Sequence, residues 1–194
     1  MTIRQKLMKF TYPILEKITN FLKINNKIVS ANTKANVSFY DLKALQNSGT
    51  ILDFGMLKNK KTLIVNTASN CGYTAQYDGL EALYKLHKNE LEIIAFPAND
   101  FKEQEKDDDN TIAEFCKINF GVTFPIMKKS VVITNSEQNT VYQWLTQKDK
   151  NGWNTKAPNW NFCKYLIDEN GNLTHFFEPS VAPMGVEIMA ALKK

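Results

Sequence analysis

Residues 62 to 81, TLIVNTASNCGYTAQYDGLE, constrain this chain more than any other stretch. A β-prone apolar run, Leu63-Ile64-Val65, leads through a small polar turn holding Cys71 and Gly72 into a helical pattern with Tyr77, Leu80, Leu83 and Tyr84 on one side. That is strand, turn and helix with a thiol at the turn. Thr74 is the predicted N-cap, which sets Cys71 just ahead of a helix start. There the unpaired N–H groups and the positive dipole end favour a thiolate over a thiol. Two readings of Cys71 stand at this point: a nucleophile, or a buried inert cysteine, since Cys is among the residues most often buried. Its place in a polar turn favours the nucleophile.

A second apolar run, Leu91 to Phe96, ends at Pro97 and reads as a buried parallel strand after a right-handed crossover helix. The loop Ala98 to Asp108 then lies at the carboxyl end of that strand, where open α/β sheets carry their sites, and it holds Gln104. The acidic residues at the end of this loop lack the glycine and ligand spacing of a calcium loop, so Asp107 to Asp109 are read as helix-start charges. Before the central unit, Val37 to Leu45 and Thr50 to Asp53 flank a turn at Asn47-Ser48-Gly49 and predict an opening hairpin. After it come a helix from Thr111 to Asn119 stopped by Gly121, a β-prone Val131 to Ile133, a helix from Val141 to Gln147 and a loop from Asp149 to Asn159. Asn161 to Asp168 and Leu173 to Phe177 flank a turn at Glu169 to Asn172, a hairpin signal, and a last helix runs from Pro183 to Leu192. Parallel βαβ units followed by a hairpin and a terminal helix predict an α/β, thioredoxin-like fold, a central mixed β-sheet flanked by helices.

The N-terminal segment differs in charge from the rest. Residues 1 to 29 carry Arg4, Lys6, Lys9, Lys17, Lys23 and Lys27 against Glu16 alone, a charge of +5 that leaves the remainder at −1 of the total +4. Leu7, Phe10, Ile14, Ile18, Phe21 and Leu22 recur at helical spacing around Pro13, predicting an amphipathic helix or two short ones. No apolar run there approaches the ~20 residues of a spanning helix. The helix therefore docks on the domain or a partner, or lies on a membrane surface. Residues 1–36 are read as this segment and its linker, and 37–194 as one domain. Arg4 is the only arginine, so the folded part lacks the side chain suited to bidentate grip on phosphates and bases, and nucleic acid is not an expected partner. Cys71, Cys116 and Cys163 form neither a disulfide framework nor a zinc pattern, which favours a reducing, cytoplasmic setting. His87 and His175 stand alone, without ligand-spaced neighbours.

The segment VNTASNCGYTAQYDGLEALY resembles the active-site segment of the glutathione peroxidase family, and IIAFPANDFKEQE, IAEFCKINFGVTFP and WNFCKYLIDENG follow in that family's order and spacing. The likeness covers about residues 37 to 193. It implies a thioredoxin-like fold and a cysteine-type peroxidase, with Cys71 as the residue that attacks hydrogen peroxide and organic hydroperoxides. The family's supporting residues fall on Gln104, Trp160 and Asn161, which carry N–H donors and need not titrate. Cys116 lies close to the resolving cysteine of members reduced by thioredoxin. Cys163, where the family usually has threonine, reads as a packed thiol. The family often has glycine at the positions of Lys102 and Glu103. The resemblance implies no metal or bound cofactor, a thiol co-substrate that is thioredoxin or glutathione, and a monomer or dimer. The lack of arginine in the domain favours a thioredoxin-like reductant. A second reading keeps the fold but makes the chain a redox-sensing or binding module that does not turn over.

Overall fold

The computed structural model describes residues 1–3, 5–7, 9–12, 14 and 28–193. Seven strands and five labelled helices follow the N-terminal helical residues: β1 (Ile28–Ser30), β2 (Lys43–Leu45), β3 (Ile51–Asp53), β4 (Lys61–Thr67), α1 (Gln76–His87), β5 (Leu91–Pro97), α2 (Asp109–Phe120), α3 (Thr140–Thr146), α4 (Lys148–Asn151), β6 (Lys164–Ile167), β7 (Leu173–Phe177) and α5 (Val186–Leu192). Five strands make the main sheet in the order β1-β7-β6-β4-β5. β4 and β5 are parallel across α1, whereas β6 and β7 run antiparallel, so the sheet is mixed as expected of a thioredoxin-like fold.

The strand period of two divides the core into two layers. On one face Leu63 and Val65 of β4, with Ile93 and Ala95 of β5, pack beneath Tyr77, Leu80 and Leu83 of α1, Ile112 and Cys116 of α2, and Ile188 of α5. On the other, Ile64, Ile94 and Phe96 meet Phe39, Phe54 and the α3 residues Val141, Tyr142, Trp144 and Leu145. β4 is therefore buried on both faces, which is why its sequence reads as an unbroken apolar run.

Several boundaries differ from expectation. Ile28–Ser30, expected within the N-terminal helix and linker, is an edge strand paired with β7. The chain to Val37 is then tied down by Ala31 to Thr174, Ala35 to Asn172, and Asn36 and Val37 to Lys150. Val37 to Leu45 is not one strand: Ser38 caps a 3-10 turn over Phe39–Asp41, which leaves only Lys43–Leu45 to pair with Ile51–Asp53. Val131 to Ile133 joins no sheet, because the Val132 N–H goes to the Asp100 carboxylate at 2.7 Å. The loop expected from Asp149 overlaps α4, and β6 begins at Lys164 rather than Asn161. The periodic residues Ile18, Phe21 and Leu22 lie outside the described residues.

Candidate active site

Three segments converge at the carboxyl ends of β4 and β5: the Cys71 turn, the 98–108 loop, and the turn 159–163 that enters β6. Asn66, near the end of β4, ties that strand to the third. Its backbone accepts from Phe162 N–H at 2.6 Å and donates to the Cys163 carbonyl, while its side chain donates to the Trp160 carbonyl at 2.9 Å. Phe162 has φ of 70°, a left-handed conformation costly for a bulky residue. This reversal sends Phe162 into the layer beneath α1, Cys163 into the opposite layer, and Trp160 and Asn161 toward Cys71.

The Cys71 turn is built differently from expectation. Thr74 does not cap α1, whose first flanking residue is Ala75 without a side-chain cap. Its Oγ1 instead accepts from Cys71 N–H at 3.0 Å and lies 2.8 Å from the Ala68 and Cys71 carbonyl oxygens. A tight run of three-residue bonds, Thr74 to Cys71, Gln76 to Tyr73 and Tyr77 to Thr74, carries the chain into the helix. Cys71 thus sits one turn away from the helix dipole. Its sulfur is buried, and burial holds the thiol above its ordinary range rather than below it. The Tyr73 N–H at 3.4 Å, the Trp160 and Asn161 side chains and the Gly72 N–H pull the other way. The site therefore corrects the expectation of a thiolate favoured by the helix start: burial holds the proton on sulfur, and donors surround that sulfur.

Asn161 links the two loops through its Nδ2, which donates to Gln104 Oε1 at 3.0 Å. Gln104 Nε2 makes no hydrogen bond to the described residues, so it is a donor available to an incoming oxygen. Lys102 and Glu103, where glycine was expected by resemblance, both hold φ near 51°, the conformation for which glycine is suited. The strained loop sets Phe101 against the Trp160 ring, with Lys102 Nζ 5.5 Å above it. Tyr73, Asn159, Trp160, Glu178, Pro179 and Ser180 line a depression of about 340 Å³ at this point.

Glu105, the neighbour of Gln104, escaped the sequence reading. It is buried, and its Oε2 accepts from both the N–H and the hydroxyl of Ser69, clamping the Gln104 loop to the Cys71 turn. Burial raises its carboxyl to about 7. A lone acidic residue in an otherwise exposed acidic run carried no sequence signal. Asn66 did carry one, as an amide inside the apolar LIVNTA strand.

Of the other cysteines, Cys116 lies on the buried side of α2, in the same layer as Cys71, and burial pushes its thiol up to about 12. Cys163 is packed in the opposite layer and donates to Asn159 Oδ1 at 3.2 Å. All three are free thiols. Among the described residues no group of three or more His, Cys, Asp or Glu is placed to hold a metal ion.

A buried thiol ringed by neutral N–H donors, at the strand ends of a thioredoxin-like sheet, defines a thiol-dependent oxidoreductase. Its family follows from comparison: the glutathione peroxidase family profile matches residues 39–146. Glutathione peroxidase-like peroxiredoxin 2 of Saccharomyces cerevisiae is 42% identical over 160 residues, covering 81% of this chain and 98% of that protein. Glutathione peroxidase-like peroxiredoxin GPX5 of Chlamydomonas reinhardtii is 44% identical, covering 77% and 91%. The crystal structure of T. cruzi GPX1 superposes with a TM-score of 0.60 at 29% identity, covering 78% of this chain and 93% of that one. A thioredoxin family protein from Chlorobium tepidum, at 14% identity and a TM-score of 0.52 over 75% and 85% of the two chains, shares the fold. The chain belongs to the glutathione peroxidase family, and its activity class is that of a cysteine-dependent peroxidase.

Proposed function

We propose that the protein reduces hydrogen peroxide and organic hydroperoxides at Cys71, with Trp160, Asn161 and Gln104 as donors. The observation that carries this assignment is the convergence of the Trp160 and Asn161 side chains on the Cys71 sulfur, with Gln104 tethered through Asn161. Neutral donors stabilise charge on sulfur and on the departing oxygen without giving up a proton of their own. The sulfur attacks one peroxide oxygen, the O–O bond breaks, and its electron pair leaves on the other oxygen. The proton shed by the thiol ends there, giving water or an alcohol and a sulfenic acid at Cys71.

Cys116 is the proposed resolving thiol. Its sulfur displaces water from the sulfenic acid, and the resulting disulfide is returned to two thiols by exchange with a reduced dithiol. A thioredoxin-like protein fits this role better than glutathione. The side chains at the depression include the carboxylate of Glu178, and the domain has no arginine to hold the carboxylates of the tripeptide. The alternative names of relatives, glutathione peroxidase in Lactococcus lactis and glutathione peroxidase-like peroxiredoxin in yeast, make this a question for assay.

The deciding experiment follows NADPH consumption with peroxide, once through thioredoxin and its reductase and once through glutathione and its reductase. Steady consumption in the thioredoxin arm, abolished by Cys71→Ser, is expected. A single stoichiometric oxidation without turnover in either arm would overturn the peroxidase reading in favour of a sensor.

A further inference from the structure

The N-terminal helical residues dock with the polar side inward. Gln5, Lys9 and Tyr12, spaced i, i+4 and i+7, face the domain. Gln5 Nε2 donates to the Ser69 carbonyl at 2.9 Å, and Lys9 Nζ donates to the Asn119 carbonyl, pairs with Asp78 and lies 4.2 Å above the Phe120 ring. Tyr12 accepts from Gln76 Nε2 and meets Tyr73 edge-on. On the opposite side Ile3, Leu7, Phe10 and Ile14 share one stripe and are 88, 62, 78 and 57% exposed. A helix that only braces a globular domain turns such a stripe toward the core. Here the inward contacts are polar and specific, and among the described residues nothing covers the stripe.

Charge identifies the partner. The stripe belongs to a segment of +5 in a chain whose remainder carries −1. A second copy would bring two such segments together and oppose them electrostatically, and an uncharged apolar groove would leave the lysines unmatched. An anionic bilayer satisfies both features, since the apolar residues enter the acyl boundary while Lys6, exposed beside the stripe and not engaged by the domain, meets the headgroups.

We propose that the N-terminal helix is an interfacial anchor that binds this protein to an anionic lipid surface through Ile3, Leu7, Phe10 and Ile14. Because Tyr12 rests on Tyr73, which lines the depression beside Trp160, the anchor also sets the mouth of the Cys71 site next to the lipid. No helix among the described residues is long and apolar enough to cross a membrane.

The test is co-sedimentation of the full-length protein with phosphatidylcholine vesicles, with and without phosphatidylglycerol. Binding is expected only with phosphatidylglycerol, weakening at high salt. Leu7→Glu with Phe10→Glu should weaken it at least ~10-fold, while turnover with hydrogen peroxide stays at the wild-type rate and so reports an intact fold. Phe10→Trp should show a blue-shifted emission on the same vesicles. Failure of the wild-type protein to bind, or equal binding by the double variant, would overturn the proposal. So would a dimer in sedimentation that the double variant dissolves in the absence of vesicle binding, which would give the stripe to a second copy.

Discussion

At the scale of single residues, the chemistry turns on a proton. Burial keeps Cys71 protonated at neutral pH, so its reaction with peroxide in stopped flow should accelerate with pH up to and beyond 9 without levelling off. A plateau near pH 6 would show that the surrounding donors outweigh burial. Trp160→Phe and Gln104→Ala should each slow this step about 10- to 1,000-fold, as for an oxyanion-hole donor, and unchanged rates would return both to packing roles. Glu105 gives a separate, sign-definite test. Its folded value of about 7 lies above the ordinary 4.5, so the native state holds the extra proton and stability falls as pH rises through that interval. Burial raises it most, the hydroxyl and N–H of Ser69 pull it down, Asp107 raises it further and Lys129 lowers it. Glu105→Gln keeps an oxygen for Ser69 and removes the titration. Urea unfolding at pH 5 and pH 8 should therefore show the wild type losing about 3 kcal/mol more than the variant. Parallel curves for the two proteins would refute the assignment.

At the scale of elements, α2 governs how the second thiol is reached. It is capped at both ends, by Asp108 accepting from Thr111 N–H and by Gly121 in the left-handed conformation, and it buries Ile112, Cys116 and Phe120. This helix is firmer than its length alone implies, and Cys116 has no exposure while it stays wound. Resolution should then be limited by local opening. Gly121→Ala meets no neighbour and introduces only left-handed strain, about 1 kcal/mol, which should speed disulfide formation roughly fivefold as it lowers the melting temperature. An unchanged rate in the destabilised variant would mean that α2 need not open. Cys116→Ser should still react once with peroxide but lose thioredoxin-driven turnover. The same elements show what the sequence made legible. β4, α1 and β5 were readable because an apolar strand and a helical stripe each have one period; Cys71 was legible from its turn between them, and the roles of Gln104, Trp160, Asn161 and Cys116 came through resemblance. The raised Cys71 thiol, the Ser69 clamp and the Phe162 reversal were not, because each depends on burial or backbone angles set by segments distant in sequence. Ile28–Ser30 was missed for the same reason: three residues pair only because β7 presents an edge.

At the scale of the whole molecule, the N-terminal helix braces two parts of the site at once. Gln5 holds the Ser69 carbonyl beside the Cys71 turn, and Lys9 holds the carboxyl end of α2 at Asn119 and Phe120. A deletion meant to remove only this helix must stop before Ile28, since a cut at residue 29 would take most of β1 from the sheet. Removing residues 1–26 uncovers the surface beneath Tyr12 and Lys9, a loss of about 2 kcal/mol for one large side chain, or roughly 4 to 8 °C in melting temperature for a chain of this size. Every proposed donor to Cys71 remains, so the first reaction with hydrogen peroxide should hold at the wild-type rate. Release of α2 from Lys9 should instead quicken resolution, in the same direction as Gly121→Ala. Stopped-flow oxidation followed by quantitation of free thiols separates these two steps. A folded deletion variant that fails at the first step would make the helix part of the catalytic site; one that oxidises normally but resolves more slowly would show that the helix presents Cys116 rather than restrains it.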